Sequence, residues 1–239
     1  MDTQRVADGS MASGVLAQAP AQAPAQAPAQ APAQAPAQVQ DIGPDRFPVL
    51  DPAQMSAAQN KLVSDLLSGP RGGGSSSSSR VAVKHILENG PFNAWARSPV
   101  LGDRLQRVGE YIRYGSSIPQ RLNEFAILIT ARFWTSQYEW FAHHSLAMEA
   151  GLSPDITAQL ALNQRPVGMG EDEAAVYNFC TELHQQKNVS DAAYQQAVTL
   201  FGEQGVMDLI GVSGYYTAVS MTLNVARVPI PGGQPDPLK

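Results

Sequence analysis

Cysteine is almost absent: Cys180 is the only one in 239 residues. A single thiol excludes an intramolecular disulfide, a CxxC redox pair, a thiolate zinc cluster and a cysteine-held iron–sulfur centre. Charged residues are also sparse, at 15%. The net charge of −5 leaves no basic excess to grip a phosphate backbone, so no nucleic-acid partner is expected. No run reaches the roughly 18 apolar residues of a membrane span, so no membrane partner is expected either. Apolar/polar alternation of the kind that marks strands is missing. So are a phosphate-binding glycine loop, a dinucleotide fingerprint and a nucleophile elbow, and no cofactor is expected.

What is present divides into a tail and a domain. Residues 17–36 are five consecutive copies of Ala-Gln-Ala-Pro. Proline at every fourth position removes amide donors and blocks a regular helix, and no side chain there is large enough to form a core. Residues 1–41 therefore read as a disordered low-complexity spacer. Its first residues hold Asp2, Arg5 and Asp8. The stretch Met11-Ala12-Ser13-Gly14-Val15-Leu16-Ala17 is too short for the apolar region of an export signal. A cytoplasmic location is expected, with export the reading if this segment is the remnant of a signal. A second polar break, Gly69-Pro70-Arg71-Gly72-Gly73-Gly74 followed by Ser75 to Ser79, reads as a flexible Gly/Ser loop over 71–79. The domain spans 42–228. After Arg227, prolines 229, 231, 235 and 237 predict an extended tail over 229–239.

The domain reads as all-α. Pro52 opens a helix to about Leu67 with Met55, Leu62 and Leu66 on one side. Leu101, Leu105, Val108 and Ile112 form an apolar stripe over 101–114. Pro119 precedes a helix over 122–134, and a break follows at Thr135-Ser136. The next helix, 138–150, is closed by Gly151. Ser153-Pro154-Asp155 starts another. Residues 171–186 bury Ala175, Val176, Phe179 and Leu183, and Ser190 caps a helix to Phe201. A long apolar helix over 206–225 carries the small residues Gly211, Ser213, Gly214 and Ala218.

Ionisable residues gather on two consecutive helices. Glu124 precedes the apolar run Phe125 to Ile129 and so lies near a buried face. Glu139 and His143, four residues apart, are helical neighbours. Such a carboxylate–imidazole pair shares a proton near neutral pH and suits acid/base work. Simpler roles fit the same residues. Ser136-Gln137-Tyr138-Glu139 matches a capping box, in which Glu139 satisfies a helix-end amide. Glu124 fits an ion pair with Arg121 or with Arg132, about 80° around the helix. His143 fits a structural histidine. His144 points about 100° away from His143, and no third histidine lies within a turn, so no metal is expected. His85 and His184 read as isolated and solvated, and Cys180 as an inert core thiol.

The run from Pro91 to Gly151 resembles the carboxymuconolactone decarboxylase family, which has the AhpD-like all-α fold. The likeness is carried by Gly90-Pro91-Phe92-Asn93, Arg97-Ser98-Pro99, Gly109-Glu110-Tyr111, Glu124-Phe-Ala-Ile-Leu-Ile-Thr-Ala131, Tyr138-Glu139-Trp140-x-x-His143 and Ala150-Gly151-Leu152-Ser153. Val206 to Gly211, Tyr215-Tyr216 and Leu223-Asn224 are similar to the family's closing helices, so the likeness spans about 47 to 227. The peroxidase-like branch places a Glu, then CxxC, then a His four residues on. Here Glu124 and His143 stand in the outer places, while Ser136 and Glu139 occupy the cysteine positions. Without thiolates there is no thiol–disulfide chemistry, so alkylhydroperoxidase activity is not expected.

What the resemblance implies is a cofactor-independent lyase or isomerase acting on a lactone or ring carboxylate in aromatic-compound catabolism, built as a homo-trimer or homo-hexamer. Catalysis falls to His143, with Glu139 or Glu124 setting its charge. Arg132 is the candidate for the substrate carboxylate, and Tyr138 and Asn93 are candidate hydrogen-bond donors. The rival reading is a non-catalytic helical oligomer tethered by its Ala-Gln-Ala-Pro tail. A ring-sized pocket beside His143 favours the enzyme. A pocket filled by Trp134 or Trp140 favours the rival.

Overall fold

The computed structural model describes residues 46–72 and 79–239. The expectations for the 1–41 tail and for residues 73–78 of the Gly/Ser segment lie outside the described residues. The described residues are helical, without strands. The helices are α1 (Ala57–Ser68), α2 (Arg80–Glu88), α3 (Phe92–Trp95), α4 (Pro99–Tyr114), α5 (Gln120–Phe133), α6 (Gln137–Glu149), α7 (Pro154–Ala161), α8 (Glu171–Gln186) and α9 (Asp191–Ala226).

Helix α5 is the axis of the fold. Every residue from Leu122 to Ala131 is buried, on all sides of the helix, as befits a helix enclosed by others. Helices α6, α8 and α9 pack along it and α7 touches it. Phe125, Ile127, Leu128, Phe179, Leu209 and Leu223 fill this main core. A smaller cluster joins Leu62, Leu66 and Leu67 of α1 to Ile86 and Leu87 of α2.

Helix limits follow local chemistry. Ser56 and Gln59 form a reciprocal capping box, so the expected 52–67 helix is split into a short 3-10 turn (Pro52–Gln54) and α1. Thr135, at φ 47°, and the bond from the Ser136 amide to the Ala131 carbonyl at 2.9 Å end α5 and reverse the chain into α6. Gly151, at φ 91°, ends α6. There the Leu152 amide reaches the Ala147 carbonyl at 2.9 Å, a Schellman closure. Gly202, at φ 69°, interrupts α9, so Asp191–Ala226 is two helices in series, as the Ser190 cap and the break before Val206 imply.

The apolar stripe expected on α4 is buried only in part: Ile112 is buried and Leu105 packs against the main core. Leu101 and Val108 are exposed, while Gly102, Gln106, Gly109 and Ile112 face inward. The glycines decide the orientation. A Cβ on Gly102 would come within 2.9 Å of the Trp95 carbonyl oxygen, and one on Gly109 within 2.0 Å of the Tyr215 hydroxyl. Contacts that close are available only on the glycine side.

The 229–239 segment is not simply extended. It makes a 3-10 turn at Pro231–Gly233 and returns to insert Leu238, 1% exposed, into the main core. Gln137 clasps it, donating to the Leu238 carbonyl at 2.8 Å and accepting from its amide at 2.9 Å. Leu238→Ala should therefore destabilise the fold by on the order of 2–4 kcal/mol in urea denaturation. A loss under about 0.5 kcal/mol would mean the segment does not pack there.

Candidate functional site

The reversal at Thr135 lays α6 against α5 and brings His143 to Glu124. His143 Nδ1 lies 2.6 Å from Glu124 Oε2, and Nε2 lies 3.1 Å from Glu139 Oε1. All three side chains are nearly inaccessible. Carboxylates thus sit on both ring nitrogens, and satisfying both requires a proton on each nitrogen. Burial alone would depress the imidazole pKa. The hydrogen bonds His143 donates to Glu124 and Glu139, with the negative charges of the two carboxylates, override it and push His143 up to about 9. The imidazole is therefore held charged at neutral pH, whereas the sequence suggested a proton shared near neutrality.

The structure decides among the simpler roles. Ser136 makes no side-chain cap, and its Oγ is buried without a partner. Glu139 serves His143 instead. Glu124 pairs with neither arginine: Arg121 binds Asp172 and Glu173, and Arg132 donates to the Lys239 carbonyl at 3.0 Å. His144 leaves the site, lying 3.3 Å from the Thr157 hydroxyl and stacking on Trp140.

A cavity of about 160 Å³ opens beside His143 and Glu139. Its wall includes Tyr138, Tyr215, Tyr216, Arg71 and Arg113. The Tyr216 ring stands edge-on to the His143 ring with centroids 5.0 Å apart, and Tyr215 meets Tyr216 in the same way at 5.0 Å. Burial raises both phenols, Tyr215 to about 12, so each is a neutral donor. Tyr138 accepts from the Gly90 amide at 2.7 Å and keeps its own hydroxyl proton to donate. Neither Trp134 nor Trp140 lines the cavity.

Two expected site residues lie elsewhere. Asn93 is a clamp. Its Nδ2 donates to the Phe47 carbonyl at 2.7 Å, and its Oδ1 accepts from the Leu50 amide at 3.1 Å and from Arg97 at 2.7 Å. Arg132 sits about 12 Å along α5 from Glu124, because eight residues separate them at 1.5 Å each. The cations at the cavity are Arg71 and Arg113, which nothing in the sequence around them singled out. Arg71 belongs to a Gly/Ser-rich break, and Arg113 follows Ile112 near the end of α4. Among the described residues, no group of three or more His, Cys, Asp or Glu side chains is arranged to hold a metal ion. No described helix is long and apolar enough to cross a membrane.

His184 was expected in solvent. It is instead 7% exposed, 3.0 Å from the Thr130 hydroxyl and stacked on Phe133 at 4.9 Å. Burial, and then the nearby Lys187 charge, push its pKa down to about 4. Cys180 is buried, as expected, and burial pushes its thiol up to about 12.

The two histidines make stability pH-dependent in opposite directions. The contribution of His143 is complete below its ordinary value of 6.5 and is lost as pH rises through about 9. His184 stays neutral in the fold while the unfolded chain takes up a proton, so stability falls as pH drops from 6.5 towards 4. Melting temperature should peak near pH 6.5. His143→Gln should flatten the alkaline limb, worth on the order of 3 kcal/mol, and His184→Gln the acid limb. An alkaline limb unchanged in His143→Gln would contradict the assignment. No family model, curated protein or solved structure matches this chain.

Proposed function

We propose that the chain is a cofactor-independent acid/base enzyme of the carboxymuconolactone decarboxylase type on an AhpD-like fold, decarboxylating or isomerising a lactone or ring carboxylate. The observation that supports this reading is the buried Glu124–His143–Glu139 array on the wall of a ring-sized cavity. A cavity of about 150 Å³ elsewhere accepts benzene, so 160 Å³ suits a small ring. Decarboxylation breaks the bond to the leaving CO₂ and puts its electron pair into a dienolate conjugated with the ring carbonyl. The dienolate carbon then takes a proton. His143 holds that proton on Nε2, against Glu139 at the cavity wall, and Glu124 stabilises the cation from behind. Tyr138, Tyr215 and Tyr216 are placed to donate to the developing oxyanion. Water then restores the proton to the array.

Charge held for donation gives a distinct pH profile. On a lactone or ring acid found by thermal-shift screening, the rate should hold through neutrality and fall above about pH 9. His143→Gln and Glu139→Gln should each lower turnover by about 10²–10⁴-fold. Wild-type turnover in either variant would remove that residue from the chemistry.

The same reading includes a homo-oligomer. Met207, Ile210, Gly214, Met221 and Val225 lie along one side of α9, and all are exposed. Gly214 has open space where a side chain would stand, which lets a second helix come close. The row also favours the non-catalytic oligomer as a second reading, one in which the cavity binds without reaction. Light scattering should give a trimer or hexamer, and a monomer at micromolar concentration would count against assembly.

A further inference from the structure

We infer that Arg71 and Arg113 form an anion subsite in the cavity that His143 and Glu139 also line, and that it anchors a carboxylate of a small ring acid. This rests on the reading of the cavity as the ligand site.

Both arginines line the cavity that His143 and Glu139 line. Arg121 has Asp172 and Glu173 as partners, and Arg132 gives one nitrogen to the Lys239 carbonyl while its Nε and Nη1 are buried without a partner, away from this cavity. Arg71 and Arg113 have no carboxylate within ion-pair distance among the described residues. Arg71 reaches only the Tyr215 hydroxyl, at a long 3.4 Å, and the Phe92 ring face at 5.8 Å. Its Nε is buried with no partner, the state of a donor that awaits an acceptor. Arg113 lies over the Tyr114 ring at 5.3 Å. A guanidinium beside a tyrosine-lined cavity, with no carboxylate partner and its Nε unpaired, is suited to a carboxylate.

Tyr215 and Tyr216 stand between the arginine side and the imidazole, linked by edge-on contacts, so a ring held by one carboxylate at the arginines would lie against them and present its other substituents to Glu139 and His143.

Isothermal titration of the full chain at pH 7 and fixed ionic strength tests this without any turnover. Benzoate should bind, and the isosteric neutral benzamide should bind at least about tenfold more weakly. Arg71→Gln and Arg113→Gln should each weaken benzoate at least about tenfold, and the corresponding lysine variants should recover part of the loss by keeping the charge. The melting temperature of each variant is read first, and where a glutamine variant does not fold the benzamide comparison on the unaltered chain decides. Equal binding of benzoate and benzamide, no benzoate binding, or undiminished binding in either folded glutamine variant overturns the proposal. If benzoate binds through the arginines while His143→Gln turns substrate over normally, the acid/base reading falls and the anion subsite stands. If His143→Gln abolishes turnover but benzoate is indifferent to both arginines, the subsite falls alone.

Discussion

The contact between Glu124 and His143 is the constraint around which the rest is arranged. Helix α5 is enclosed by other helices, and a carboxylate on such a helix pays a desolvation cost of several kcal/mol unless a cation meets it. Among the described residues, α6 supplies one through His143. It does so because the chain reverses tightly at Thr135, in a left-handed conformation unusual for a β-branched residue. Glu139, one turn before His143, then closes the second ring nitrogen. The pairing thus sets how α5 and α6 cross, keeps the charge buried, and leaves the carboxylate–imidazole edge facing the cavity.

Much of this was legible in the sequence. Helix-forming periodicity, the Gly151 closure, the Ser153-Pro154 start and the Ser190 cap all act over a few residues, so a linear reading finds them. The i, i+4 pairing of Glu139 with His143 is local in the same way. Glu124 was picked out because a carboxylate leading an apolar run is conspicuous. Its partner is nineteen residues on, and only the turn at Thr135 brings the two together.

The misreadings share a cause: they depended on contacts between distant segments. The α4 stripe held at Leu105 and Ile112 but not at Leu101 and Val108, because Gly102 and Gly109 admit Trp95 and Tyr215 more closely than any apolar side chain would, and hydropathy does not register a missing side chain. His184 was read as isolated and solvated, yet Thr130 and Phe133 of α5 cover it. Arg132 looked suited to a substrate because it shares a helix with Glu124, but at that separation it serves the chain's last residues. Arg71 and Arg113 reach the cavity from opposite ends of the α1–α4 region, and no local spacing connects them.

Helix α5 holds two histidines in opposite states at one pH. Near its start, Glu124 keeps the ring of His143 fully protonated; near its end, Thr130 and Phe133 keep that of His184 without the second proton. Reagents that acylate imidazole attack the neutral ring. Applied at neutral pH, they would modify the exposed His85 first and leave His143 intact. Histidine labelling that spares function therefore says nothing against His143, because the electrostatics that suit it to hold a proton also hide it from the chemistry used to find it.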